Sequence, residues 1–379
     1  MTFPKHRQIY SELKEAISSG KYHPGQRLPS EAQLVKQFQT SRPTVARALR
    51  DLQQEGLIDR HAGSGTFVSK KQLPENLLVG LIVPNLGETE IFDPICRELA
   101  RSSQLSNHSL LWGSTQEFSG ANTEEQLMRL CDQFIARKVA GVYFAPLELT
   151  PDFSGTNERI ANALNRAKIP VVLLDRDLYI YPRRSCYDRV GIDNRLAGHT
   201  LTEHLLKLGC RKIAFVNLPH SAETVWHRLS GYRDALSSSG IKPDPALTLE
   251  GDPADESFVR RILDVGGVEA CVCANDMTAA NLMHSLDSLG VRIPEDLRIV
   301  GIDDVRYASL LRVPLTTIHQ PCKYIGASAV QAMKDRIADP NTPSRDIVLG
   351  FKLVVRESCG ASLGKKRARM TPVEDEANS

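Results

Sequence analysis

The side chains best placed to do chemistry sit just after short apolar runs. Asp175 follows Val171–Leu174, Asp193-Asn194 follows the run 190–192, Asn275-Asp276 follows Ala270–Cys273, and Asp303-Asp304 follows the run 297–302. Each carboxylate or amide can hold one or two hydroxyl groups, so several of them gathered at one edge suit a polyhydroxylated small molecule. Arg228 adds a fork of donors that would meet ligand hydroxyls or one of these aspartates. Asp276 and Asp304 read more readily as caps of the helices that follow, and Asp193 serves equally well as a cap for a helix starting near Arg195. Covalent and metal chemistry find no support. The chain has no P-loop, HExxH or GxSxG pattern, and no lysine in a setting suited to a pyridoxal-phosphate Schiff base. Its eight cysteines form no CxxC pair and no zinc-spaced Cys/His set, and they read as buried reduced thiols, with Cys271 and Cys273 on one strand face. No metal, no cofactor and no enzymatic activity are expected.

The elements that must position these groups follow from the apolar pattern. Strand-like runs at 77–83, 110–112, 142–145, Val171–Leu174, 190–192, 213–216, Ala270–Cys273 and 297–302 alternate with helical patterns near 95–105, 123–137, 160–167, 196–208, 225–236 and 277–289. Wholly apolar strands separated by helices indicate parallel sheets covered on both faces. Two such blocks, roughly 77–178 and 187–315, predict two doubly wound α/β lobes, and ligands of such sheets bind beyond the strand C-termini. The polar residues above occupy those ends. The segment 177–189 carries Tyr179, Tyr181, Arg183 and Arg184 and either covers the cleft or decorates the surface; decoration is the favoured reading. Trp112 and Trp226 read as core or cleft wall rather than as stacking platforms.

Residues 77–358 resemble the effector domain of lactose-repressor-type regulators and the related periplasmic sugar-binding proteins. The motifs are Val190-Gly191-Ile192-Asp193-Asn194, Arg228 with Gly231-Tyr232, Ala274-Asn275-Asp276, Ile293-Pro294-Glu295-Asp296, Ile299 to Asp304, and Leu315-Thr316-Thr317-Ile318 with Gln320. The resemblance implies a periplasmic-binding-protein-like type I fold. It places sugar contacts on Asp175, Arg228, Asn275, Asp303 and Gln320, with Phe92 stacking on the ligand and Glu90 beside it.

The first seventy residues carry a different pattern. Ile9, Leu13, Ala16 and Ile17 repeat at helical spacing before Gly20, and Pro24-Gly25 marks a turn. Ser30 with Gln33 forms a capping box ahead of Leu34, Val35 and Phe38. Ser41 caps a third helix with Pro43 in its first turn and Val45, Ala48, Leu49 and Leu52 facing inward. Residues 57–60 and 66–68 flank a Gly-rich tip, which makes a two-stranded wing. Three short helices and a wing form an α+β winged helix-turn-helix. The inward set leaves Arg42, Thr44, Arg47 and Arg50 outward or at the helix start. There arginine reads guanine bidentately in the major groove, and free N–H groups favour phosphate. This segment, about 3–70, resembles the gluconate-repressor (GntR) type of DNA-binding domain through Leu28-Pro29-Ser30-Glu31, Ser41-Arg42-Pro43-Thr44-Val45 and Gly63-Ser64-Gly65-Thr66-Phe67-Val68. The resemblance implies DNA contacts at Arg42, Thr44, His61 and Gly63. Ala46 stands where that family usually has arginine, which leaves Arg47 as the alternative contact.

Charge agrees with this division. Residues 1–72 hold 12 Lys+Arg against 6 Asp+Glu, a net +6, so the remainder of a chain of net +2 carries −4. A basic head on an acidic body suggests a polyanion partner for the head alone. No apolar stretch is long enough to cross a membrane, and the first residues lack a signal-peptide core, so the expected compartment is the cytoplasm. The expected organisation is a DNA-binding domain at 1–69, a linker at 70–76, a two-lobed effector domain at 77–360 and a disordered tail at 361–379. The pairing of modules resembles the arabinose-repressor type of regulator and implies double-stranded operator DNA, a small sugar effector and a homodimer as partners. A transport-type sugar-binding protein and an architectural DNA binder are the competing readings.

Overall fold

The computed structural model describes residues 5–19, 21–23, 25–61, 64–69, 77–83, 91–104, 108–112, 123–149 and 153–361. Gly63, Glu90, Gly20, Pro24, the linker 70–76 and the tail beyond Ala361 lie outside the described residues. The chain divides into two units, Met1–Leu77 and Leu78–Ser379.

In the first unit, α1 (Lys5–Ser18), α2 (Glu31–Phe38) and α3 (Arg42–Gln54) are followed by the antiparallel pair β1 (Ile58–His61) and β2 (Gly65–Val68). Ile9, Leu13, Leu34, Val45, Leu49, Leu52 and Ile58 form one closed core, which is why helices this short persist. The Ser30/Gln33 capping box is present in full. Ser41 precedes α3 as expected, but its side chain makes no cap bond; its hydroxyl lies 2.8 Å from that of Thr44 instead.

The second unit contains two six-stranded sheets. The first lobe orders β3 (Leu77–Ile82), β4 (His108–Trp112), β5 (Gly141–Phe144), β6 (Val171–Leu174), β7 (Asp188–Ile192) and β13 (Asp346–Leu349) as β13-β7-β6-β5-β3-β4. The second orders β8 (Ile213–Asn217), β9 (Thr248–Glu250), β10 (Ala270–Cys273), β11 (Arg298–Asp303), β12 (Thr316–His319) and β14 (Lys352–Val354) as β14-β12-β11-β10-β8-β9. Pairing is parallel through β7, β6, β5 and β3 and from β9 to β12; the edge strand β14 runs antiparallel to β12. The central strands are buried end to end, which accounts for their unbroken apolar sequences.

The helices are α4 (Phe92–Gln104), α5 (Thr123–Ala136), α6 (Phe153–Arg166), α7 (Asn194–Lys207), α8 (Glu223–Ser238), α9 (Glu256–Asp264), α10 (Asp276–Ser288) and α11 (Cys322–Ala338). The lobes are not the consecutive blocks that the sequence order predicts. Strand β7, assigned from sequence to the second block, pairs with β6 in the first, and α11 packs on α4 and the first sheet. The chain therefore crosses between lobes after Ile192, after His319 and after Leu349. Trp112 and Trp226 are 54% and 51% exposed, so neither belongs to the core.

Candidate functional site

In the first unit, α3 presents Arg42 at its first position with the side chain 76% exposed. Arg47 and Arg50 follow on the exposed face, while Thr44 is half-buried and tied to Ser41. Glu31 on α2 pairs with Arg60 of the wing and stands 3.8 Å from Arg42 Nε, so one carboxylate orients both cations. His61 ends β1, exposed, with its ring 5.7 Å from that of Phe67. Arg42 and Arg47 on α3 and His61 on the wing are thus exposed polar groups. These are groups that can meet phosphate and base edges.

In the second unit, the polar ends of both sheets meet. Asp175, after β6, and Asp303, at the end of β11, take φ values of +68° and +134°. Aspartate tolerates the left-handed region near +60° better than most residues, as at Asp175, whereas +134° at Asp303 is a strained backbone that the surrounding contacts must hold. Arg228 on α8 is buried and ties several stretches together. Its Nε donates to Asn194 Oδ1 at 2.8 Å and its Nη1 to the Ala274 carbonyl at 2.6 Å; its Nη2 lies 3.7 Å from Asp303 Oδ1. Gln320, at the second crossover, donates from Nε2 to the same Asp303 oxygen at 2.7 Å. Burial lifts the Asp303 carboxyl well above the ordinary carboxylate range, against the pull of Arg228, and the Asp175 charge adds to the lift.

This network is incomplete. Asp175 Oδ1, Arg176 Nε, Asn194 Nδ2 and Gln320 Oε1 are buried without a hydrogen-bond partner among the described residues. An unpaired buried polar atom costs roughly 1–3 kcal/mol, so those of Asp175, Asn194 and Gln320 call for partners from water or ligand. The Asn194 and Gln320 side chains hydrogen-bond to Arg228 and Asp303, while Arg176 Nε has the Asp175 carboxylate 3.9 Å away. A cavity of about 910 Å³ adjoins Asp303 and Gln320, bounded by Ile91 and the start of α4 on one lobe and by 304–307 on the other.

Other side chains differ from expectation. Phe92 is buried and the Arg176 guanidinium lies 5.2 Å from its ring centre, so its face is already covered. The Asn275 side chain caps α10 by accepting from Thr278 N–H at 2.8 Å, a task the sequence reading gave to Asp276. Asp276 instead accepts from Thr317 Oγ1 and Val305 N–H, and Asp304 pairs with Arg356 and His319. Asp193 does cap α7, through Leu196 N–H at 2.9 Å.

Contacts between the lobes also run along loops. Glu148 of the first lobe pairs with Arg176 and accepts from the Ala222 N–H of the second at 3.0 Å. Glu223, buried at the start of α8, accepts from Asp177 N–H at 2.8 Å and stands 3.4 Å from Arg189. Burial lifts its carboxyl to about 7, even with those two partners pulling down. Tyr181 meets the His227 ring edge-on at 6.2 Å, so the 177–189 segment is a strap from the first lobe to α8. Arg176 and Glu223 escaped the sequence reading. The run Asp175-Arg176-Asp177 directly after an apolar strand was a usable signal for the first, whereas nothing local marks Glu223.

Residues 5–68 match the family described as bacterial regulatory proteins, gntR family, and residues 202–359 match the periplasmic binding protein-like domain. The arabinose metabolism transcriptional repressor of Geobacillus stearothermophilus is 29% identical over 94% of this chain and 98% of its own length. The chain thus joins a gntR-type DNA-binding module to a periplasmic binding protein-like module, the same pairing across nearly its whole length as in that repressor. The large unit shares its fold with solved transcriptional regulators. A solved complex of the transcriptional regulator CelR with cellobiose superposes with a TM-score of 0.65 at 25% identity, covering 84% of this chain and 92% of that one. The GntR transcription regulator of Chromobacterium violaceum superposes at 0.59 and 28% identity, covering 74% of this chain and 99% of that one. Among the described residues, no helix is long and apolar enough to cross a membrane and no group of His, Cys, Asp and Glu is arranged to hold a metal ion.

Proposed function

We propose that this regulator is a cytoplasmic repressor of carbohydrate genes that binds palindromic operator DNA as a homodimer and releases it when a small sugar fills the cleft of the large unit. The DNA-binding domain would span 1–69, the linker 70–76 and the effector domain 77–360, with 361–379 as a tail. The observation that carries the reading is the set of buried atoms without a hydrogen-bond partner on Asp175, Asn194 and Gln320, beside the Arg228–Asp303 pair and split between the two lobes. Hydroxyl groups, each both donor and acceptor, satisfy such a mixed set, whereas an apolar or singly charged ligand does not. Asp175 and Arg176 would hold the ligand from the first lobe, Arg228, Asn275 and Asp303 from the second, with Gln320 at the crossover and Phe92 backing Arg176. In the head, Arg42, Thr44, Arg47, His61 and Gly63 would face DNA. The arabinose repressor and the CelR–cellobiose complex support a saccharide as the ligand class.

A sugar that touches both lobes favours one lobe arrangement, and in a dimer that changes the spacing available to two heads reading fixed half-sites. A thermal-shift screen over mono- and disaccharides, followed by operator titration with and without the hit, tests this. A ligand at 100 times its Kd adds about 2.7 kcal/mol of stability. Operator affinity is expected to fall about 5–150-fold with sugar bound. A hit that stabilises the protein yet leaves operator affinity unchanged would overturn the switch.

A further inference from the structure

The large unit has a second cavity, of about 360 Å³, on the other face of α8. Arg228 and Tyr232 point into the protein and are buried, while Trp226 and Arg233 line this cavity. Asn217, at the end of β8, and Thr248 and Glu250 of β9 are also in its wall, and Ile180 reaches it from the strap of the first lobe.

Its chemistry is specific. Trp226 keeps half of its surface in solvent at the wall of a concave site, although an indole is among the most favourable groups to cover. Around it stand an amide, a carboxylate and a guanidinium. The buried Asn217 donates from Nδ2 to the Leu218 carbonyl at 2.9 Å and lies 3.4 Å from Glu250 Oε2. Among the described residues neither Arg233 nor Glu250 has an ion-pair partner. A flat apolar surface ringed by donors and acceptors of both kinds matches a pyranose ring, which offers a face of C–H groups and a rim of hydroxyls. A phosphate-bearing ligand would need more than the single arginine, and an apolar one would strand Asn217 and Glu250.

We propose that this cavity is a second saccharide site, sized for one sugar ring stacked on Trp226 with its hydroxyls held by Asn217, Arg233 and Glu250. None of these four residues belongs to the cleft set around Arg228 and Asp303. Because Ile180 belongs to the first lobe and the remaining wall to the second, a ring bound here would touch both and favour the lobe arrangement seen in the structure.

The two tryptophans of the chain make the test direct. Trp112→Phe leaves Trp226 as the sole indole, and Asp303→Ala removes a cleft carboxylate. The full-length double variant is titrated with D-glucose, D-galactose, D-xylose and L-arabinose while indole emission is followed. The expected result is a saturable change with at least one of them, weakened about tenfold or more by Glu250→Ala or, if that variant fails to fold, by Arg233→Gln. No saturable change with any of the four sugars overturns the proposal. So does a change that appears only while Asp303 is intact, since that signal reports the cleft, or one that Glu250→Ala and Arg233→Gln both leave unaltered. Asp303-dependent thermal stabilisation by sugar in the Trp112→Phe protein reports the cleft separately, so failure of either site is seen independently.

Discussion

Arg228 touches α7, the end of β10 and the end of β11 through one guanidinium, and it can do so because all of its donors diverge in a plane. Arg228→Ala is expected to abolish the effect of sugar on operator binding while leaving sugar-free operator affinity unchanged, as read by titration of labelled operator. Retention of the wild-type response would place the ligand elsewhere. In the head, Arg42 is the side chain with the freest reach from α3. Arg42→Ala should weaken specific operator binding by about 1–3 kcal/mol in a gel-shift titration. Glu223 makes a different prediction. The folded protein holds its proton up to about pH 7, while an unfolded chain releases it near 4.5. Between those values the folded state carries the extra proton, so stability falls as pH rises through the window, by about 3 kcal/mol in all. Urea unfolding across this range should show the fall in wild type and a flatter profile in Glu223→Gln. Part of this chemistry was legible in the sequence, because Asp175 and Asp303 are polar interruptions after apolar strands, whereas Gln320 was marked only by the resemblance to lactose-repressor-type effector domains. Glu223 was not, since its partners Asp177 and Arg189 lie 46 and 34 residues away.

At the scale of elements, the cleft depends on how closely α7 and α8 cross. A side chain at Gly198 would strike the Arg228 carbonyl, and one at Gly231 the Arg195 carbonyl, so the two backbones are in contact there. That contact sets the height of Arg228 above the sheet. Gly231→Ala must push the helices apart, at a cost of about 1–3 kcal/mol in urea unfolding, and should weaken sugar binding in calorimetry although it touches no ligand. An unchanged unfolding midpoint would show that the crossing yields easily. The alternation of strands and helices was readable because buried strands need continuous apolar runs. The short edge strands β9, β13 and β14 lack that signal, their residues being partly exposed, and the lobe to which β7 belongs is a property of pairing that local sequence does not encode.

For the whole molecule, the contrast between a +6 head segment and a −4 remainder confines polyanion affinity to one end. Operator affinity should drop steeply with salt, with a slope of about −0.9 for each phosphate neutralised. If two heads engage one operator, Arg47→Ala should reduce that slope by about two when Arg47 meets phosphate, and leave it unchanged while relaxing base preference when Arg47 reads a base. Filter binding across a salt series separates the outcomes. The three crossings between lobes carry a further consequence, for synthesis rather than for binding. The first lobe needs α11 and β13 to close, so neither lobe is complete until the ribosome has passed residue 349. The head has its own core within the first 77 residues and can fold long before. A chain cut short between the head and residue 349 would therefore release a finished reader of DNA with no finished sensor attached, occupying its sites beyond the reach of any sugar.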